Sequence, residues 1–257
     1  MRMLKSLALA FSCFSRIPVP KMEWDSDNMR FILAWFPVVG LVVGLLTAAW
    51  WLIAEALGFG IVLKAAGVVL VPLAVTGGFH LDGYADVTDA LASNAEPDRK
   101  RAILKDSHIG AFAALGLTIY VLAYFAVATE LPVGWKVAAL LACVHVMTRC
   151  GSAFASTLFF GNGTSGMLTS FRDSADVRLT IAVVSIVFVA FGVCAIVISP
   201  LCGAMMVVCE ALLLVWLNRF AQRNFGGMSG DVAGFFLQLC ELLLVVCIVI
   251  GAKVVGL

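Results

Sequence analysis

Between Gly77 and Asp89 the chain reads GGFHLDGYADVTD, which sets three carboxylates, Asp82, Asp86 and Asp89, and one imidazole, His80, within ten residues. If the stretch is helical, separations of four and seven residues put all three acids on one face. Like charges so arranged repel one another unless a cation holds them. A hard divalent ion such as Mg²⁺ suits that role, because it takes oxygen ligands and shares them with substrate phosphates. The same acids would also sit comfortably at a helix start, where the dipole favours negative charge. Their place behind two glycines and a histidine, at the end of an apolar run, points instead to metal-assisted phosphoryl chemistry. His80 fits a partner behind a metal ligand, a general acid, or a plain interfacial residue.

Further polar groups accompany this stretch. Lys105-Asp106-Ser107-His108-Ile109-Gly110 precedes an apolar run: Asp106 suits a second metal site and Lys105 a phosphate contact, and an interfacial anchor is the alternative. Arg99-Lys100-Arg101 suits a phosphate or anionic lipid. Gly226-Gly227-Met228-Ser229-Gly230-Asp231 opens the last apolar run, where backbone N–H groups and a helix N-terminus can cradle phosphate, with Arg223 and Asp231 adding charge. Arg149, Glu210 and Glu241 lie inside apolar runs, where ionisable residues suggest function or a helix-holding ion pair. Either glutamate is a candidate partner for Arg149.

The elements that must position these groups belong in lipid. Of the 257 residues, 62% are hydrophobic and 13% charged, against roughly 45–50% and about 25% in soluble domains. Mean hydropathy is +1.05. The expected fold class is all-α, a polytopic helical membrane protein with about seven transmembrane helices in one catalytic domain over 1–257. The spans are expected near 31–57, 61–75, 111–131, 135–160, 179–198, 201–217 and 232–257. Before them, Met1 to Ile17 reads as an amphipathic interfacial helix with Arg2, Lys5 and Arg16 toward headgroups; no small-residue cleavage site follows its short apolar run. The eight cysteines form no CxxC pair and read as apolar packing residues.

Charge sets the orientation. Threading the spans puts the N-terminal segment and the loops after spans two, four and six on one side. Of the seventeen Lys and Arg, Lys64, Lys136 and Lys253 fall on the other side and Arg149 inside span four; the rest share the first side. By the positive-inside rule that side is cytoplasmic, so the acidic, basic and glycine-rich segments can converge there. A net charge of +1 makes no case for nucleic acid.

At these residues the chain resembles the cobalamin synthase family, the adenosylcobinamide-GDP ribazoletransferases. Phe14 to Pro20 is similar to the family's F-T-R-[IL]-P-V-P, and Phe36 to Gly40 to its F-P-L-[IV]-G. Gly77 to Asp89 is similar to the hallmark G-G-x-H-L-D-G-x-A-D-x-x-D. Lys105 to Gly110 is similar to [KR]-D-S-R-[IL]-G with His108 in place of arginine. Gly226 to Glu241 resembles G-G-x-T-G-D-x-x-G-A-x-x-E-x-x-E, with Gln238 at the first glutamate and Phe235 at the small residue. The family's Y-A-R-x-x-G-L-G loop is represented by Phe159 to Met167, which has no arginine.

The resemblance implies an Mg²⁺-dependent enzyme of the inner membrane, working on its cytoplasmic face. The 5′-hydroxyl of α-ribazole, or of its 5′-phosphate, would attack the cobinamide-side phosphorus of adenosylcobinamide-GDP and release GMP. In that reading Asp82, Asp86 and Asp89, with Asp106, hold Mg²⁺; Asp106 or His80 takes the hydroxyl proton; and Lys105, Arg99, Arg223 and the loop Gly226, Gly227, Ser229, Gly230, Asp231 meet phosphate oxygens. Homo-oligomers remain open. A CDP-alcohol phosphotransferase-like enzyme is a competing reading, but no arginine follows Ala90 as its D-x-x-D-G-x-x-A-R pattern requires. A divalent-cation transporter is another, although its ligands belong near the bilayer midplane.

Overall fold

A computed structural model of the chain describes residues 2–106, 108–159, 161 and 166–256. Among these the regular structure is helical, with a single isolated bridge between Gly161 and Met228. Helices α3 (Ile32–Ala56), α7 (Ala111–Thr129), α8 (Trp135–Leu158), α10 (Val177–Ile198), α11 (Pro200–Phe225) and α12 (Gly230–Val255) are each long and apolar enough to cross a membrane. Helices α4 (Ile61–Thr76) and α5 (Phe79–Ala92) pass that test only as a pair, bent by 99° at their junction. The six long helices and this pair make a multi-pass membrane protein, in line with the expected all-α class.

The bend has a local cause. Gly77 and Gly78 have φ of 65° and 77°, left-handed conformations that cost little without a Cβ. Gly77 also lets the N-terminal segment approach, since a Cβ there would lie 2.2 Å from Arg16 Nε. The Arg16 N–H donates to the Val75 carbonyl at 2.7 Å, which straps the end of α1 (Arg2–Phe14) to the end of α4.

Helix α8 is the most buried span. Small residues let its neighbours close on it. A Cβ on Gly40 of α3 would lie 2.5 Å from the His145 carbonyl oxygen, and one on Gly44 would lie 2.6 Å from that of Ala142. Without a hydrophobic drive between helices in lipid, such close backbone approach maximises dispersion contact. Helix α10, by contrast, keeps Ile186, Val189, Val193 and Val197 exposed, as suits a lipid-facing span. The eight cysteines are free thiols.

The loops after α5, α8 and α11 meet at one end of the bundle. Three short helices form there outside the expected spans: α2 (Ser26–Met29), α6 (Pro97–Ile103) and α9 (Met167–Ser174). Lys100 Nζ reaches Asn224 Oδ1 at 3.1 Å, and Arg101 Nη1 donates to the Phe225 carbonyl at 3.2 Å. Helix α11 runs eight residues beyond the span expected at 201–217, because Ala221 and Phe225 continue its buried stripe into a cluster with Leu217, Met228 and Phe236. The opposite end carries short connections, with Glu130 paired to Lys253.

Candidate active site

Helix α5 buries Gly83, Val87 and Ala90 and turns Asp82, Asp86 and Asp89 away from that face. The acids therefore share a face, as their spacing requires, but their surroundings differ. Asp82 is exposed and lines a cavity of about 460 Å³. Asp89 is partly engaged elsewhere: its Oδ1 accepts from the Ala113 N–H at 3.2 Å in the first turn of α7. Asp86 is half-buried between them and feels the charges of Asp82, Asp89 and Asp231.

The cavity draws on every segment that the sequence singled out at this end. From α5 come His80, Asp82 and Gly83; from the basic segment, Arg101 and Lys105; from the glycine-rich turn, Gly227, Ser229, Gly230 and Asp231; and from α9, Phe171 and Arg172. Gly226 caps α11 at φ 66°, Gly227 follows at φ 150°, and Ser229 caps α12 by accepting from the Val232 N–H at 3.2 Å. That cap leaves Asp231 in the first turn of α12. A Cβ on Gly83 would lie 2.8 Å from the Asp231 carbonyl oxygen, and one on Gly234 would lie 2.9 Å from that of His80. The two acid-bearing helices thus touch backbone to backbone, and Asp82 and Asp231 flank the same space.

Other expected site residues lie outside it. Asp86, Asp89, Arg99, Asp106, Arg223 and Gly226 do not line the cavity. Asp106 is exposed and accepts from the His108 backbone N–H at 3.0 Å, with His108 Nδ1 at 2.7 Å. Those bonds with His108 hold its carboxyl below the usual carboxylate range, which makes it a weak proton acceptor. Ser107 of the same motif, and residues 160 and 162–165 of the loop after α8, lie outside the described residues.

Among the described residues no set of three or more His, Cys, Asp and Glu side chains is gathered tightly enough to enclose a metal ion by itself. The donor chemistry nevertheless suits Mg²⁺, which commonly binds through one or two carboxylates and completes its shell with water and substrate phosphate. Asp82 and Asp231 supply such a pair, with Asp86 close enough to couple to both.

Two features escaped the sequence reading. One is an aromatic wall: Phe14, Phe36, Phe79 and Phe171 line the cavity around His80, and they come from four separate segments with no common period. The other is His145, which joins Arg149 and Glu241 inside the bundle. Arg149 Nη1 pairs with Glu241 Oε1, and His145 Nδ1 lies 3.0 Å from the same oxygen. The choice left open between the glutamates therefore falls on Glu241. Glu210 is fully buried beside Gly151 instead. A histidine four residues before a buried arginine was the available signal for His145.

Comparison with known proteins identifies relatives of the chain along nearly its whole length. A family model described as cobalamin-5-phosphate synthase matches residues 6–249. Adenosylcobinamide-GDP ribazoletransferase of Lachnoclostridium phytofermentans is 34% identical, with 99% of this chain and 97% of the relative aligned. The protein of that name from Clostridium botulinum is 32% identical over 93% and 95%, and that from Geobacillus thermodenitrificans 28% over 92% of each. No solved structure matches the chain.

Proposed function

The chain belongs to the cobalamin-5-phosphate synthase family, and from that premise we propose that it joins adenosylcobinamide-GDP to α-ribazole or α-ribazole 5′-phosphate. The products are adenosylcobalamin, or its 5′-phosphate, and GMP. The observation that carries this reading is the single cavity in which Asp82 and Asp231 face Arg101, Lys105, Arg172 and the glycine-rich turn. Diphosphate cleavage by an in-line hydroxyl demands fixed positive charge around the phosphoryl oxygens and precise placement of the nucleophile.

Asp82 and Asp231, supported by Asp86, are the residues to hold Mg²⁺ against the diphosphate. When bound, the metal stabilises charge on the phosphoryl oxygens. Lys105, Arg101 and Arg172 orient the diphosphate from the other wall, and the turn Gly227 to Gly230 adds backbone N–H groups at the start of α12. Of the two residues considered for the hydroxyl proton, Asp106 stands off the cavity, whereas His80 lines it, buried and with neither nitrogen bonded among the described residues; His80 is therefore the residue to hydrogen-bond and orient that hydroxyl. The positive-inside asymmetry supports the cytoplasmic face of the inner membrane for this end of the bundle.

The decisive assay supplies detergent-purified protein with adenosylcobinamide-GDP, α-ribazole and Mg²⁺, then follows GMP and the corrin product by mass spectrometry. Product formation that disappears in Asp82→Asn is the expected result. A monodisperse preparation that yields no product overturns the reading, and divalent-cation flux into proteoliposomes would then favour the transporter.

A further inference from the structure

The cavity has two unlike halves. One carries the charged groups and the glycine-rich turn; the other is walled by Phe14, Phe36, Phe79 and Phe171. His80 stands where they meet. Its ring centroid is 6.0 Å from that of Phe14, nearly parallel at 21°, 5.3 Å from Phe36 and 5.2 Å from Phe79. Phe14 also meets Phe171 edge-on at 6.1 Å. The imidazole is 4% exposed, and neither nitrogen has a hydrogen-bond partner among the described residues. A buried polar group in that condition costs free energy unless something arrives to bond it.

We infer that the aromatic half is the subsite for the planar base of the ribazole substrate, with His80 bonding the nucleoside where it leaves the rings. This inference rests on the ribazoletransferase reading. Ring faces stack on a flat base whatever its identity, and the apolar surroundings strengthen the contact. Guanine fits this wall less well. It carries several donors and acceptors on its edges, and the four phenyl rings bring no polar group to meet them, so an edge buried against those rings would be stranded. A base with few polar edges loses nothing. Seated against the wall that Phe14, Phe36 and Phe171 form by packing on one another, the base leaves its ribose in the cavity that His80 and Asp82 also line, within reach of the charged groups.

The test separates the two substrates. In Phe36→Leu and Phe171→Leu, which keep apolar bulk and remove the ring, KM for α-ribazole should rise on the order of tenfold, the worth of one base–ring stack. KM for adenosylcobinamide-GDP should stay within about twofold of wild type, a change too small for a lost stack. Equilibrium dialysis with α-ribazole should show the same loss of affinity, dialysis with GDP should not, and free benzimidazole should compete with α-ribazole alone. The inference is overturned if both variants, monodisperse and active, keep the wild-type KM for α-ribazole, or if GDP affinity falls instead. Wild-type protein that neither binds α-ribazole nor releases GMP would overturn the functional reading beneath it.

Discussion

Gly83 of α5 rests on the backbone of Asp231 at the start of α12, where an added Cβ would come 2.8 Å from the Asp231 carbonyl oxygen. Backbone cannot yield as a flexible side chain can, so Gly83→Ala must part the two helices that carry Asp82 and Asp231. A displacement of about 1 Å in a reacting constellation can cost on the order of 10²-fold in rate. GMP release at saturating substrate should fall by that order in Gly83→Ala. A Gly60→Ala control, where the backbone is extended at φ −64° and an added Cβ meets nothing within 4 Å, should keep wild-type turnover.

The acids of α5 should separate under mutation. Asp82→Asn is expected to lower turnover on the order of 10²–10³-fold, the scale of losing one electrostatic stabiliser. Asp89→Ala should cost less activity but about 1 kcal/mol of stability, because Asp89 accepts from the Ala113 N–H at the start of α7. Chelation of divalent metal should abolish turnover in wild-type protein, and added Mg²⁺ should restore it. Paired activity and thermal-unfolding measurements on the two variants check the division.

Inside the bundle, Arg149 and Glu241 form an ion pair whose side chains are 1% and 2% exposed. Removing one partner strands the other in a medium that cannot solvate it. Arg149→Met is expected to destabilise by about 3–5 kcal/mol, and adding Glu241→Gln should recover much of that loss. Unfolding of single and double variants in mixed micelles measures the coupling.

At the surface, Asp176 caps α10 and accepts from Arg30 Nη2 at 2.8 Å. The Arg30 bond, and then the Leu179 N–H, hold its carboxyl below the ordinary value of 3.8. A depressed carboxyl contributes stability above its unfolded value and loses it as pH falls through the folded one. The acid limb of thermal stability, below about pH 4, should therefore be shallower in Asp176→Asn. A titration of unfolding temperature from neutral pH downward measures it.

Much of this architecture was legible because membrane chemistry writes large signals. Apolar runs marked the spans, and the spacing of Asp82, Asp86 and Asp89 marked a helix face before any helix was visible. Gathering the basic loops on one side also anticipated the shared end where Lys100 meets Asn224. Rotation was not legible. Arg101, rather than Arg99, lines the cavity, which depends on how α6 is turned about its own axis. For the same reason Arg149 had two possible glutamates until α11 and α12 were placed. The aromatic wall was hidden more deeply, since Phe14, Phe36, Phe79 and Phe171 are related by tertiary packing alone.

The 99° turn at Gly77 and Gly78 also decides how the acids are laid out. At a rise of about 1.5 Å per residue, Asp82 and Asp89 are separated by roughly 10 Å along α5. A straight continuation of α4 would have carried that separation onward along its own axis. The turn lays it nearly at right angles to α4 instead, so the three carboxylates are strung across the helix end rather than in a column leading away from it.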